Sequence, residues 1–291
     1  MRKPINISED CRAHLVNSSI VICGLAHNCA HKLLGNIKFI EGLRSYFNFL
    51  QVVVVENDSH DKTRAILDDW SVSSSNVIIL DGIKRSTVSI SNQSNCRANS
   101  YYSHKRISYL TALRNQYLNY INNDGRTYDY ILVLDFDVDK ISLTGVINSF
   151  EHRDNWDLAC AYGYSISPRL QERIHDTYAM VLLGDENKPQ RERSIKQLQR
   201  DVRLNKISGS LLPVYSAFGG LSIYKAGLLE GINYQALKND DSRVEVRCEH
   251  FSICHQLKQK GVTRVMINPQ MHLRYEKFWE TIKRNIVGAN P

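Results

Sequence analysis

A chain of 291 residues, 43% hydrophobic and 23% charged, has the composition of a globular protein with room for one large α/β domain or two small ones. No run is long and apolar enough to form a membrane-spanning helix, and the polar N-terminus lacks the apolar core of a secretion signal. The net charge of +7 suits an anionic partner such as a nucleotide, a phosphate-bearing lipid, an acidic glycan or nucleic acid, and does not choose among them. The seven cysteines are odd in number and follow no framework spacing, so reduced thiols and a cytoplasmic location are expected. Cys23 and Cys29 lie near His27 and His31, but their spacing fits no structural zinc pattern.

In chain order, Ser19 to Leu25 reads as a first buried strand. A helix follows over about 29–49, with Leu33, Leu34, Ile37, Ile40, Leu43 and Phe47 at helical spacing. Leu50 to Glu56 is a second strand. A turn with helix-start chemistry, Asn57 to Asp61, leads to a short helix over Lys62 to Trp70. Asn76 to Leu80 is a third strand. Residues 82–104 are rich in Ser and Asn and read as a long loop, which in a compact domain is usually mobile or functional. Arg106 to Ile121 is a helix and Tyr128 to Leu134 a fourth strand. This alternation predicts an α/β fold with a mostly parallel central sheet flanked by helices, and such sheets bind ligands beyond the carboxyl ends of their strands. Beyond it, Trp156 to Tyr162 reads as a strand. The basic stretch over 186–206 reads as a solvated helix face rather than a nucleic-acid site, with docking of a phosphate-bearing acceptor left open.

The fourth strand ends in Asp135-Phe-Asp-Val-Asp139. Side chains on an extended chain alternate faces, so Asp135, Asp137 and Asp139 can point the same way. Crowded carboxylates at a sheet's mouth repel one another unless a cation sits among them. Hard divalent ions take such oxygens together with substrate phosphates. A solvated turn after a core strand is the plainer alternative.

Four further blocks stand in a fixed order around this motif. They are Val52-Val-Val-Val-Glu-Asn-Asp-Ser-His-Asp-Lys-Thr63, the helix Arg106-Ile-Ser-Tyr-Leu-Thr-Ala-Leu-Arg-Asn115, the strand-leading Ala217-Phe-Gly-Gly220, and Cys248-Glu-His250. Each alone reads equally as a capped turn, an exposed arginine, a tight turn and a helix N-terminus. In this order they resemble the nucleotide-sugar-dependent glycosyltransferases of the GT-A type, over about residues 19–275. The second and the last two blocks are similar, more narrowly, to fungal-type and capsule-associated mannosyltransferases.

The resemblance implies a single GT-A (Rossmann-like) domain over 1–291, with a nucleotide-sugar-binding half at about 19–140 and an acceptor-binding half at 141–291. It implies a metal-dependent transfer of sugar from a GDP- or UDP-sugar to a hydroxyl of a glycan or lipid-linked glycan. It also implies Mn2+ or Mg2+ as cofactor, no nucleic acid, and a cytoplasmic enzyme with the inner face of a membrane as an open alternative. Glu56 and Asn57 take the places that meet nucleobase and ribose. Arg114 is implied at the donor diphosphate, Asp135 at ribose or metal, and Gly219 and Gly220 at the donor sugar. The metal set is Asp135, Asp137, Asp139 and His272, the last from Ile267-Asn-Pro-Gln-Met-His272. Glu249 or His250 would accept the acceptor's proton if the reaction inverts configuration, and would hold substrate if it retains. A nucleotidyltransferase that makes the sugar nucleotide is one rival; Gly24-Leu-Ala-His-Asn-Cys29 does not supply its glycine-rich phosphate loop. A non-catalytic nucleotide-sugar-binding protein is the other.

Overall fold

The computed structural model describes residue 5 and residues 7–84, 99–166, 171–202 and 210–275. Most of the expected Ser/Asn-rich loop, the end of the basic stretch and the tail with Lys277, Trp279 and Lys283 lie outside the described residues. The elements run α1 (Glu9–Val16), β1 (Ser19–Ala26), α2 (Ala30–Arg44), β2 (Phe49–Glu56), α3 (Thr63–Ser73), β3 (Val77–Asp81), α4 (His104–Asn123) and β4 (Tyr130–Leu134). They continue with α5 (Leu143–Glu151), β5 (Leu158–Ile166), β6 (Glu172–Ile174), α6 (Glu192–Asp201), β7 (Leu212–Pro213), β8 (Leu221–Lys225), α7 (Glu249–Gln259) and β9 (Val265–Arg274).

All nine strands join one sheet in the order β3-β2-β1-β4-β8-β5-β9-β7, with β6 alongside β5. Strands β1 to β5 and β9 share one direction; β6, β7 and β8 oppose it. The sheet is therefore mostly parallel, as the alternation of elements predicts.

The apolar runs follow from burial on both faces. Ile20, Ile22, Val52, Val54, Leu132 and Leu134 enter one core with α1, α2, α3 and α5. Val21, Cys23, Val53, Val55, Ile131 and Val133 enter the other with α4, α6 and α7. Each such side chain contributes about 1.5–3 kcal/mol by leaving water, and the buried polar Gln51 of β2 is accommodated because its Oε1 accepts from the Tyr128 hydroxyl at 2.9 Å.

Several boundaries differ from expectation for local reasons. Helix α2 stops at Arg44, where the guanidinium turns to bond Leu50 O at 2.8 Å and Glu41, fixing the turn into β2. Strand β4 starts at Tyr130 because Asp129 is engaged by the Ser19 amide and hydroxyl at 2.7 and 2.8 Å. Helix α1 gives little periodicity in its eight residues. It is held instead by its Ser8 cap and by the Ser8 hydroxyl bond to Glu151 of α5 at 2.7 Å.

Asp61 and Thr63 do more than cap the short helix α3. Asp61 accepts from Thr63 N at 2.9 Å and also from Ala30 N at 3.1 Å, while Thr63 Oγ1 accepts from Cys29 N at 2.8 Å. Two helix starts are thereby satisfied by one pair of short oxygen side chains. Cys23 and Cys29 are both buried and free, and among the described residues no three His, Cys, Asp or Glu side chains form a group that could hold a metal.

Candidate active site

Strand β1 has β2 on one side and β4 on the other, so the chain's crossovers diverge there and leave a crevice at the carboxyl ends. Glu56, Asp81 and Asp135 mark the ends of β2, β3 and β4. Glu56 is buried and accepts from Ser59 N at 2.8 Å, with Arg64 at 3.8 Å. Asn57 Oδ1 accepts from the Tyr109 hydroxyl of α4 at 2.6 Å, and its carbonyl meets the His27 ring. Both residues therefore stand beside the crevice, shaped by the turn after β2.

The centre of the site is a chain of buried charges. Arg114, 4% exposed in the middle of α4, places Nη2 3.0 Å from Asp135 Oδ1 and Nε 3.1 Å from Glu249 Oε1. Burial alone would weaken its charge, but Asp135, Tyr117 and Glu249 hold the guanidinium firmly protonated. Its Nη1 has no hydrogen-bond partner among the described residues. The neighbouring Asn115 clasps the backbone of Tyr234 at 3.0 and 2.8 Å, fixing the wall beside Arg114. Burial pushes the Asp135 carboxyl up to about 6, partly offset by Arg114 and increased by Asp137.

Glu249, at the start of α7, is 4% exposed and its Oε2 also accepts from the Cys248 thiol at 3.4 Å. His250 is 2% exposed, stacked on Phe218 with ring centres 3.6 Å apart. Burial, and secondarily Arg114, drives its pKa well below the ordinary histidine value, so it is a neutral ring at physiological pH. Of the two candidates for the acceptor's proton, Glu249 is joined to the charge chain, while the ring nitrogens of His250 make no hydrogen bond among the described residues.

The D-x-D turn divides its three carboxylates among three environments. Asp135 is half-buried, Asp137 is exposed, and Asp139 pairs with Arg274 Nη2 at 2.6 Å while their backbones bridge β9 to the turn. Phe136 and Val138 alternate into the core. The buried Asn36 of α2 donates to both Phe136 O (2.7 Å) and Val138 O (3.2 Å), bracketing Asp137. Replacing Asn36 with alanine would strand two carbonyls beside the core, and about 1–3 kcal/mol of stability should be lost. Urea unfolding measures this; an unchanged midpoint would show that Asn36 does not hold the turn.

His272 lies on β9 opposite Tyr162, its ring centre 6.4 Å from that of Tyr164, with Glu172 close enough to feel its charge. It reaches this register through a bulge, where Ala161 pairs with Asn268 and the next residue, Tyr162, with His272.

Gly219 and Gly220 both have left-handed φ, 67° and 86°, which a side chain would strain. A Cβ at Gly219 would sit 2.1 Å from Ala161 O, and one at Gly220 would sit 2.7 Å from the Tyr275 hydroxyl. This close-packed loop holds two acidic residues, one through its backbone and one through its carboxyl group. Asp135 N donates to Gly220 O at 3.0 Å, and Gly219 N donates to Asp176 Oδ2 at 3.2 Å. Asp176 has no place in the sequence reading. It follows the three-residue strand β6 in no recognisable motif, and only the pairing of β6 with β5 brings it here. Burial, then the charges of Asp135 and Glu249, push its carboxyl up to about 8. Tyr275 stacks on His175 with ring centres 4.0 Å apart and closes the loop from above.

The family described as Cryptococcal mannosyltransferase 1 matches residues 25–256, which take in the crevice, the charge chain, the glycine loop and the start of α7. The chain belongs to this family. No curated protein matches it. Among solved structures, this mannosyltransferase-family chain is similar to GalNAc-T7 bound to UDP, GalNAc and Mn2+. The two are 14% identical with a TM-score of 0.51, over 93% of this chain and 47% of that one. It is also similar to the mannosyltransferase PcManGT from Pyrobaculum calidifontis, in complex with GDP-Man and Mn2+, with 15% identity and a TM-score of 0.49 over 94% of this chain and 60% of that one. The chain thus spans about half to three-fifths the length of these two proteins. The fold is the GT-A arrangement that the order of motifs implies.

Proposed function

We propose that this family member is a metal-dependent glycosyltransferase that moves a sugar, mannose by family, from a nucleoside-diphosphate donor to a hydroxyl of a glycan or lipid-linked glycan. The observation that carries the reading is the Asp135–Arg114–Glu249 chain at the carboxyl end of β4. There, a buried and a half-buried carboxylate share the single guanidinium between them. The match to a mannosyltransferase family supports it, as does the fold shared with GalNAc-T7, which was captured with UDP, GalNAc and Mn2+.

The residues fit a divalent ion of the Mg2+ or Mn2+ kind. Asp135 is a carboxyl short of compensating positive charge, and Asp137 is an open oxygen donor two residues on. Such ions keep waters and take only one or two protein carboxylates beside substrate phosphates, so a preformed cage of three or more ligands is not required. When bound, the ion would supply positive charge to the diphosphate that leaves. Asp139 is the member of the motif already paired to Arg274, and it anchors the turn to β9. Glu56 and Asn57 flank the nucleoside, and Arg114 holds Asp135 in one orientation. The N-terminal half, 19–140, carries these donor groups, and 141–291 carries the acceptor side. No described helix is long and apolar enough to cross a membrane.

Incubation with GDP-mannose, UDP-glucose and UDP-N-acetylglucosamine, with and without Mn2+, tests the reading. Release of free nucleoside diphosphate that needs the metal is the expected result. Silence across all three donors, with no thermal shift from GDP or UDP, would count against it.

A further inference from the structure

We infer that Asp176 is the residue that grips the donor's sugar ring, with its carboxyl group exchanging hydrogen bonds with sugar hydroxyls. The inference rests on the donor reading above and names the group that recognises the transferred sugar within that site.

The argument begins with the glycine loop. Two consecutive residues hold two carboxylate-bearing residues: Gly220 O accepts from Asp135 N, and Gly219 N donates to Asp176 Oδ2. Adjacent Cα atoms are about 3.8 Å apart. Asp176 is therefore held by the immediate neighbour of the residue that holds the end of β4, beside which the diphosphate is expected. Asp176 also senses the charges of Asp135, Glu249 and Arg114, so it lies within electrostatic reach of the charge chain.

Its position is rigid. The turn is pinned by His175 N to Gly163 O at 2.8 Å, Ser216 Oγ to Ala179 O at 2.8 Å, and Val181 paired with Ser216. The Tyr178 hydroxyl donates to Val246 O at 2.6 Å. Asp176 itself has φ of 57°, a conformation that costs free energy in a non-glycine residue and persists where surrounding contacts impose it. The residue as a whole is half-buried rather than sealed in the core. The amide of Gly219 bonds Oδ2, and among the described residues Asp176 is in no salt bridge. A carboxyl group fixed through one oxygen, with the other in no ion pair among the described residues, suits a hydroxyl-bearing ring. A site built to bond a hydroxyl discriminates strongly against ligands lacking it.

The test is calorimetric binding of GDP, GDP-mannose, UDP and UDP-glucose, each with Mn2+, to wild type, Asp176→Ala and Asp176→Asn. The readout is the ratio of sugar-nucleotide affinity to bare-diphosphate affinity. Hydrogen bonds to a neutral carboxyl group correspond to about a 2- to 10-fold change. Asp176→Ala should lower the ratio by that factor while leaving diphosphate affinity within about twofold. Asp176→Asn keeps an oxygen for Gly219 N and the turn intact, and should lower the ratio by a smaller factor. An unchanged ratio in both variants, with wild type binding normally, overturns the assignment of Asp176 alone. Wild type that binds none of the four overturns the donor reading and the inference together.

Discussion

Arg114→Ala is expected to destabilise the protein by about 3–5 kcal/mol, because it leaves two carboxylates without their shared partner. Arg114, Asp135 and Glu249 touch through two contacts of 3.0 and 3.1 Å, and two of the three groups are 4% exposed. With the guanidinium gone, Asp135 loses the main influence that lowers its pKa and rises above its present value of about 6. A carboxyl raised in the folded state stabilises fully below its unfolded pKa, and that stabilisation is lost as pH rises through the folded value. The variant should therefore unfold more readily at pH 7.5 than at pH 5, with a wider gap between the two than wild type shows. Arg114→Lys should recover part of the stability but little turnover, since one ammonium cannot fork to two carboxylates on different elements. Thermal unfolding at the two pH values measures both effects. A wild-type midpoint for Arg114→Ala at pH 7.5 would show that the chain of charges is incidental.

The sequence revealed those parts of the site that sit on regular elements. Strand ends announce themselves where an apolar run meets an acid, so Glu56, Asp81 and Asp135 were legible. So was the helix that carries Arg114, whose apolar residues recur at helical spacing. The sheet's direction and much of its order follow from alternating strands and helices. What the residues could not show was which charges meet. Arg114 and Glu249 are 135 positions apart, and their contact depends on α4 and α7 packing on the same face of the sheet. Asp176 was invisible for the same reason. Strand β6 has three residues, Glu172–Ile174, and no period to read, so nothing local marks the turn that follows it. His250 shows the converse. Beside Glu249 in the sequence it reads as a group facing the acceptor, but α7 turns it onto Phe218 inside the core. Asp139 likewise alternates correctly with Asp135 and Asp137, and its neutralisation by Arg274 depends on β9 closing against the turn.

Asp137→Ala should remove turnover almost entirely while leaving stability nearly unchanged, and the contrast between these two readouts tests the site most directly. Asp137 is exposed at the tip of the turn, so truncation removes no buried contact, and surface changes of this kind usually stay within about 0.5 kcal/mol. Its backbone is held independently, since Asn36 bonds the carbonyls on either side of it. Loss of activity could therefore not be blamed on collapse of the turn. A group that helps place positive charge against a leaving diphosphate typically accounts for about 100- to 1000-fold in rate, and that is the expected fall in kcat. Asp137→Asn should fall nearly as far, because the amide keeps an oxygen but loses the charge that a hard cation needs. Asp139→Asn supplies the opposite pattern. It breaks the 2.6 Å pair with Arg274 and should lower the unfolding midpoint, with a smaller loss of turnover. If Asp137 and Asp139 variants instead fell together in both stability and rate, the turn would be acting as scaffold alone. The charge that the diphosphate needs would then have to come from elsewhere on the sheet's carboxyl edge.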